Sequence, residues 1–269
     1  MKSLFRLFPL HRKTSSRAFS SVSSGILEAG QIADWVVEQM EHKYLSRLEG
    51  RCEAASYDMS GNCWRYFREL SGKLERKEKV VVDLLENGCQ FVHLDDLGLH
   101  DFDVLILCKM LRYRNDCAKL LDLNNNPLIG DLAVAYIGKH VLGGASPVNL
   151  RSLFLSNCGV SDVGVQSLLA PLQWAEQSMH ILELRNNGIT DEGAEMLAEA
   201  LKTPNTHTPE FSLFLNNNQA IGERGVIALA KAVIESQGRL KVWLKDACPH
   251  LSPEDKAEIV KFTKNRIRF

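Results

Sequence analysis

A triplet of the form Leu or Val, any residue, Leu recurs along most of this 269-residue chain, followed each time by a polar turn and an amphipathic stretch. Its second leucine falls at Leu123, Leu155, Leu184, Leu215 and Leu244, with spacings of 32, 29, 31 and 29 residues. A step of 29 residues back from Leu123 reaches Leu94 in a looser sixth unit. Self-similarity at a period of about 20 to 50 residues is typical of proteins that stack one supersecondary unit many times. The repeat therefore predicts six coils in series.

Each unit combines a strand signal with a helix signal. In ILELRNNGITDEGAEMLAEALKT, residues 181–203, alternating apolar residues precede an Asn-Asn-Gly turn, and Thr190 and Asp191 then supply a helix start. Alternation points both leucines of the triplet inward. The residue three positions after the second leucine is expected to bond backbone groups as the chain leaves the strand, and it is Asn126, Cys158, Asn187 or Asn218. Leu97 and Ala247 stand there in the first and last units, which fits either end coils or a shifted register.

This pattern resembles the leucine-rich repeat family, and its long unit with a full helix resembles the ribonuclease-inhibitor-like class. The resemblance covers about residues 90 to 262. It implies an α/β fold, a right-handed solenoid of about six βα coils with parallel strands on the concave side and helices on the convex side. It also implies a function in binding proteins, since proteins with similar long repeats act as inhibitors or as GTPase activators.

In such a solenoid, the residue between the two inward leucines and the residue after them are expected to face concave solvent. From these positions we predict a partner-binding set: Asp122, Asn124, Phe154, Ser156, Glu183, Arg185, Phe214, Asn216 and Trp243. The same two positions hold His93 and Asp95 in the first unit and Lys245 in the last. Aromatic and arginine side chains carry most of the binding energy at many protein interfaces.

Two alternatives for the aromatic residues remain open from the sequence. The C-terminal segment FTKNRIRF or the last loop could cover Trp243 as a cap, because the end coils of a solenoid need covering. Phe154 and Phe214 could likewise be covered by each other or by a neighbouring side chain.

The N-terminal third of the chain differs from the repeats in composition and pattern. Residues 1–24 contain no Asp or Glu but five basic residues, and the segment RAFSS at 17–21 resembles a presequence processing site. We therefore predict a disordered mitochondrial presequence, with import to the matrix or to the matrix side of the inner membrane, and plastid import as the alternative. Residues 25–89 predict a helical cap on the first coil, with a partner-binding face as the second interpretation.

Several function classes are disfavoured by composition. After Phe19 the chain has 27 basic and 33 acidic residues, which argues against nucleic acid as a partner. No apolar run reaches the roughly 18 to 20 residues that a membrane-spanning helix needs. The seven cysteines lack the CxxC spacing of zinc sites, and the glycines match no phosphate-binding motif. We therefore expect no cofactor, no metal, no small-molecule ligand and no catalytic residue.

The sequence thus predicts a non-catalytic scaffold, assembly factor or accessory subunit of a mitochondrial complex that binds its partner on the concave face. The alternative is a regulator of an enzyme, an inhibitor or a GTPase activator, that acts through rim loops. Arg224 in the segment GERG is the candidate residue for an activator, and the inserted loop at 203–210 is a candidate extension of the surface.

Overall fold

The computed structural model describes residues 90–113, 118–143, 148–173, 179–202 and 210–269. Within these ranges one parallel sheet holds seven strands in chain order. The strands are β1 (Phe91–His93), β2 (Leu120–Asp122), β3 (Ser152–Phe154), β4 (Ile181–Glu183), β5 (Phe211–Phe214), β6 (Leu240–Trp243) and β7 (Ile267–Arg268). The helices are α1 (Asp101–Tyr113), α2 (Asp131–Ile137), α3 (Asp162–Gln173), α4 (Asp191–Leu201), α5 (Glu223–Glu235) and α6 (Pro253–Phe262), with a π-helical turn (Gly138–Leu142) after α2.

Three expectations concern segments outside the described residues. They are the presequence at residues 1–24, the helical cap at 25–89, and nearly all of the inserted loop at 203–210. None of the helices in the described ranges is both long and apolar enough to cross a membrane.

The predicted strand order is confirmed. Each central leucine lies opposite its counterpart in the next unit, as in the pairs Leu121 with Leu153 and Leu182 with Leu213. These four side chains are fully buried, because alternation places them on the face that the helices cover. Neighbouring strands lie about 4.8 Å apart whereas packed helices need about 8 to 10 Å. Stacking the units therefore bends the array, with the sheet on the inner, concave side.

An inner asparagine ladder joins consecutive coils, which we number 1 to 6 by Leu94, Leu123, Leu155, Leu184, Leu215 and Leu244. The fully buried Asn218 of coil 5 donates from Nδ2 to the Leu184 carbonyl of coil 4 at 2.9 Å. Its Oδ1 accepts from the coil 4 N–H groups of Asn187 and Ile189 at 3.1 and 3.3 Å. Asn126 serves the N–H groups of Leu97 and Leu99 in the same way. The register at Leu97 is therefore as predicted, and each asparagine closes the turn of the coil before it.

A second ladder, which the sequence analysis did not anticipate, lies where the helices begin. The aspartate that begins each of the helices α1 to α4 bonds backbone N–H groups at the start of the helix in the following coil. Asp131 Oδ1 accepts from the N–H groups of Ser161 and Gly164 at 2.7 and 3.0 Å. Equivalent bonds to backbone N–H groups of the following coil are made by Asp101, Asp162 and Asp191.

Glycine is required where these carboxylates approach the next helix. A Cβ on Gly225 would lie 2.7 Å from Asp191 Oδ1 and 2.9 Å from the Ala194 Cβ. Both atoms are fixed, the first by two hydrogen bonds and the second by a buried helix, so a larger residue would displace the cap.

The turn after each of the strands β2 to β5 contains an asparagine with a left-handed backbone conformation. Asn125, Asn157, Asn186 and Asn217 have φ between 50° and 62°. Asparagine tolerates this conformation better than most residues because its short side chain bonds locally. Here the side chains also bond each other, since Asn157 Nδ2 donates to Asn125 Oδ1 at 2.5 Å. These exposed asparagines therefore have a structural role of their own, separate from that of the buried asparagines of the inner ladder.

Both ladders stop before coil 6. Ala247 occupies the inner-ladder position, and α6 is capped locally by Ser252 Oγ, which accepts from the Asp255 N–H at 3.1 Å. The six predicted coils are present, and residues 267–268 add a further strand, β7, beside β6. The Leu244 N–H donates to the Arg268 carbonyl at 2.7 Å, so the C-terminal segment covers the edge of β6.

Replacing Asn218 by Ala should lower the free energy of unfolding by about 2 to 4 kcal/mol, because buried backbone groups of two coils lose their hydrogen-bond partners. The exposed neighbour Gln219 provides a matched control, and Gln219→Ala should change stability by less than about 0.5 kcal/mol. Urea unfolding of both variants checks this. Equal stability of the two variants would contradict the role given to the inner ladder.

Asp101→Asn should alter how stability depends on pH. Burial raises the pKa of Asp101 above its ordinary value of 3.8, against the lowering effect of the Gly130 and Ala133 N–H groups. The folded state therefore binds this proton more tightly than the unfolded state, and the resulting stability is present below pH 3.8 and lost as pH rises through the folded pKa. Asparagine keeps an oxygen acceptor but carries no charge.

We expect the free energy of unfolding of Asp101→Asn, relative to the parent, to rise between about pH 4 and pH 7. The exposed residue Asp96, as Asp96→Asn, is the control. If Asp101→Asn instead loses stability relative to the parent protein as the pH rises toward neutral, the prediction is wrong and the charged carboxylate of Asp101 stabilises the fold.

Candidate protein-binding face

The side chains opposite the helices form three rows across the strands, and we call this surface the open face. The middle row follows the strand register and contains His93, Asp122, Phe154, Glu183, Phe214, Trp243 and Arg268. The row at the carboxyl ends of the strands contains Asp95, Asn124, Ser156, Arg185, Asn216 and Lys245. The row at the amino ends contains Phe91, Leu120, Ser152, Ile181, Ser212 and Lys241. All nine residues of the predicted partner-binding set thus lie in two adjacent rows.

Four of the open-face side chains stack over one another across coils 4 to 6 and β7. The guanidinium carbon of Arg185 lies 4.6 Å from the centre of the Phe214 ring. Phe214 and Trp243 stack with ring centroids 4.2 Å apart and 16° between their planes. The Arg268 guanidinium carbon lies 5.9 Å from the Trp243 ring. We call this group the stacked row, and a cation stands at each end of it.

The stacked row decides between the alternatives for the aromatic residues. Phe214 is covered by Trp243 and Arg185 rather than by Phe154, because Glu183 lies between the two phenylalanines in the register. The C-terminal segment covers one face of the Trp243 ring through Arg268, as one of the alternatives predicted, and leaves Trp243 half-buried. Phe154 is half-buried and lies outside the stack.

The prediction that Ser156 is exposed was wrong. Its side chain is buried because the longer side chains of the neighbouring coils close over it. Ser156 Oγ donates to Glu183 Oε1 at 2.9 Å, and its N–H donates to Asn124 Oδ1 at 2.6 Å. Ser156 therefore orients Glu183 and is not itself available to a partner.

Glu183 also holds Arg185. The Arg185 Nε lies 3.1 Å from Glu183 Oε1, close enough for an ion pair, although its N–H is not aligned for a hydrogen bond. The Glu183 side chain is 16% exposed and that of Arg185 is 41% exposed. This pair is thus electrically balanced, and it fixes the guanidinium over the Phe214 ring.

The first two strands form an acidic end of the open face. His93 Nδ1 lies 3.5 Å from Asp122 Oδ2, and one candidate ligand atom each from His93, Asp95 and Asp122 lies within 4.8 Å of the other two. Imidazole and carboxylate groups this close could hold a divalent cation. The expectation of no bound metal stays a prediction.

The last strands form a basic end that the sequence analysis largely missed. Lys241 Nζ and Arg266 Nη1 lie 2.6 and 2.9 Å from the same Glu210 carboxylate oxygen. The hydrogen bond from Lys241 is the main reason that the pKa of Glu210 is lowered. Lys245 and Arg268 are exposed. Alternation in the segment NRIRF was the available sequence signal for Arg268, but β7 follows β6 too closely to match the repeat spacing.

Arg224, the residue suggested for enzyme activation, lies in the first turn of α5 rather than in a loop. Its Nε is 2.7 Å from Glu195 Oε1 of α4, and both side chains are exposed. This ion pair is on the helical side of the solenoid, away from the open face.

A double-mutant cycle should detect the stack. Phe214→Ala and Trp243→Ala are expected to show a coupling free energy of about 0.5 to 1.5 kcal/mol in urea unfolding, because offset and stacked aromatic pairs contribute beyond their buried area. Phe154→Ala with Trp243→Ala is the control pair. These residues are three strands apart, roughly 14 Å, and their effects should add. Coupling as large in the control pair would refute a specific stack.

Comparison with known proteins agrees with this geometry. A family model described as "Leucine Rich repeat" matches residues 147–169 and 176–198. The chain is 32% identical to the ribonuclease inhibitor of Sus scrofa over 123 residues, which is 45% of this chain and 26% of the pig protein. It is 26% identical to the ribonuclease inhibitor of Mus musculus over 191 residues, or 61% of this chain and 41% of the mouse protein.

The chain thus spans about a quarter and about two fifths of the lengths of these two relatives. Among solved structures, the leiomodin-1 actin-binding site 2 aligns with a TM-score of 0.48 and 16% identity, covering 61% of this chain and 88% of that one. The chain is thus similar to leucine-rich repeat proteins and distantly similar to ribonuclease inhibitor, and its seven-stranded parallel sheet is the arrangement that the repeat predicts.

Proposed function

We propose that this protein is a non-catalytic protein-binding module that holds its partner on the open face. In this proposal it serves as a scaffold, assembly factor or accessory subunit of a mitochondrial complex. The stacked row of Arg185, Phe214, Trp243 and Arg268 is the observation that carries the proposal. The relatives in pig and mouse are named as inhibitors of ribonuclease, which supports binding to another protein as the general mode of action.

The stacked row suits binding because its side chains are already ordered. Immobilising a flexible side chain at an interface costs about 0.5 to 1.5 kcal/mol. Phe214 and Trp243 are half-buried against each other, and Glu183 holds Arg185. A partner would therefore meet a surface that loses little conformational freedom on binding.

The cysteines of the described residues do not favour catalysis. Burial raises the pKa of Cys158 and of Cys248 to about 11, and it raises the pKa of Cys108 as well. Because the thiolate is the nucleophile, these groups are unreactive near neutral pH. Leucine-rich repeat proteins related to ribonuclease inhibitor are generally binding proteins without catalysis, which supports the same conclusion.

The mitochondrial part of the proposal rests on the N-terminal sequence. Residues 1–24 carry basic residues without acidic ones, as expected for an imported precursor. The alternative, regulation of an enzyme through rim loops, loses its candidate residue for activation, because Arg224 is in a helix and paired with Glu195.

Photo-crosslinking can test the binding face. A photoreactive residue in place of Ser212, on the open face beside Phe214, should crosslink a defined partner in isolated mitochondria that contain the full-length chain. The same residue in place of Lys231, exposed on α5, is the matched control and should not.

Adding Phe154→Ala and Phe214→Ala should abolish the crosslink from position 212, since truncating one central anchor often costs about 2 kcal/mol or more. A circular dichroism spectrum and melting curve establish that this variant is folded. Crosslinking from position 231 alone, or a crosslink that survives both substitutions, would place the binding site elsewhere.

A further inference from the structure

The open face carries charges of opposite sign at its two ends, and this polarity specifies a partner. Building on the proposed function, we infer that the partner presents an elongated segment with acidic side chains over β6 and β7 and basic side chains over β1 and β2. The partner class is thus a protein segment of segregated charge, rather than a uniformly acidic or uniformly basic one.

The basic end has a surplus of positive charge. Around β6 and β7 the open face and its margin contain Lys241, Lys245, Arg266 and Arg268, while Glu210 is the carboxylate that contacts two of them. Even with the exposed Asp246 beside Lys245, two carboxylates cannot neutralise four cations. Lys245 and Arg268 are also exposed, so a partner carboxylate can reach both.

The stacked row reinforces this preference for acidic groups. Arg185 lies on one side of the Phe214 ring and Trp243 on the other, so both faces of that ring are occupied. Trp243 is likewise placed between Phe214 and Arg268. A partner therefore meets ring edges, which carry the positive part of the aromatic quadrupole. Ring edges beside guanidinium groups favour carboxylates over cations.

Among the described residues, the acidic end has the opposite surplus, since Asp95, Asp96 and Asp122 outnumber Lys119, whose Nζ donates to Gln90 Oε1. Asp95 and Asp122 are half-buried beside the exposed His93. Asp122 is held in place because its Oδ1 accepts from the Asn124 N–H at 3.1 Å. A lysine or arginine of the partner would meet two carboxylates with limited freedom to move.

Distance keeps the two ends from cancelling each other. Five strand steps separate β2 from β7, which is roughly 24 Å along the sheet. The Debye length is about 8 Å at physiological ionic strength, so each end acts on a partner independently. Between them lies the balanced Glu183–Arg185 pair. Nucleic acid and other uniformly negative ligands would be attracted at one end and repelled at the other.

Synthetic peptides test the polarity on the full-length protein. The first probe is a fluorescent peptide with a lysine cluster and a glutamate cluster joined by about seven uncharged residues, long enough to span about 24 Å when extended. The second has the same composition with lysine and glutamate alternating. Fluorescence anisotropy at about 0.15 M salt should show about 10-fold tighter binding of the segregated peptide, and about 1 M salt should abolish the difference.

Variants connect the effect to the two ends. Lys245→Glu with Arg268→Glu should remove the 10-fold preference, and so should Asp95→Lys with Asp122→Lys. Combining all four substitutions exchanges the signs of charge at the two ends of the open face. The preference for the segregated peptide should then return, because a peptide in solution can bind in the opposite orientation. Lys231→Glu with Lys261→Glu, on exposed helical positions, is the control and should leave the preference unchanged.

Equal binding of the two peptides, or no recovery in the folded four-substitution variant, would overturn the polarity. The crosslink from position 212 does not depend on charge order. If it forms while the peptides bind equally, only the polarity is wrong; if both tests fail, the open face is not the binding site.

Discussion

Hydrogen bonds between consecutive coils are the constraint on which this structure depends. They run in opposite directions at the two ends of each unit. Where the chain leaves the strand, an asparagine such as Asn218 bonds backbone groups of the coil before it. Where the helix begins, an aspartate such as Asp191 bonds backbone groups of the coil after it. A buried turn without these partners would leave polar groups unsatisfied, so coils 2 to 4 need both neighbours to close.

Much of the sheet was predictable from the sequence, since a strand period of two and a repeat of about thirty residues fix which leucines lie side by side. The roles of Asn126, Asn187 and Asn218 followed from that register. The cross-coil role of the aspartates did not, because Asp162 and Asp191 also look like ordinary acidic residues at the start of their own helices. Only the stacking of coils shows which backbone their carboxylates reach.

The sequence predicted which residues lie on the open face, but not which of them are covered by their neighbours. Alternation placed Phe154, Glu183, Phe214 and Trp243 on the open face, yet it could not show that Ser156 is covered by side chains from adjacent coils. Arg268 was missed because β7 departs from the repeat spacing. Contacts between residues about thirty positions apart determine which side chains remain available, and local sequence patterns do not contain that information. The open face therefore has fewer side chains available to a partner than strand alternation predicts, but those side chains are held in place by their neighbours.

The absence of both ladders between coils 5 and 6 bears on how coil 6 moves. With Ala247 and a locally capped α6, that junction relies on strand pairing and on packing, including the stack of Phe214 against Trp243. Amide hydrogens of coil 6 should accordingly exchange with solvent sooner than those of coils 2 to 4. A bound molecule that contacts both rings would join coil 5 to coil 6, and coil 6 would then no longer open independently of the other coils.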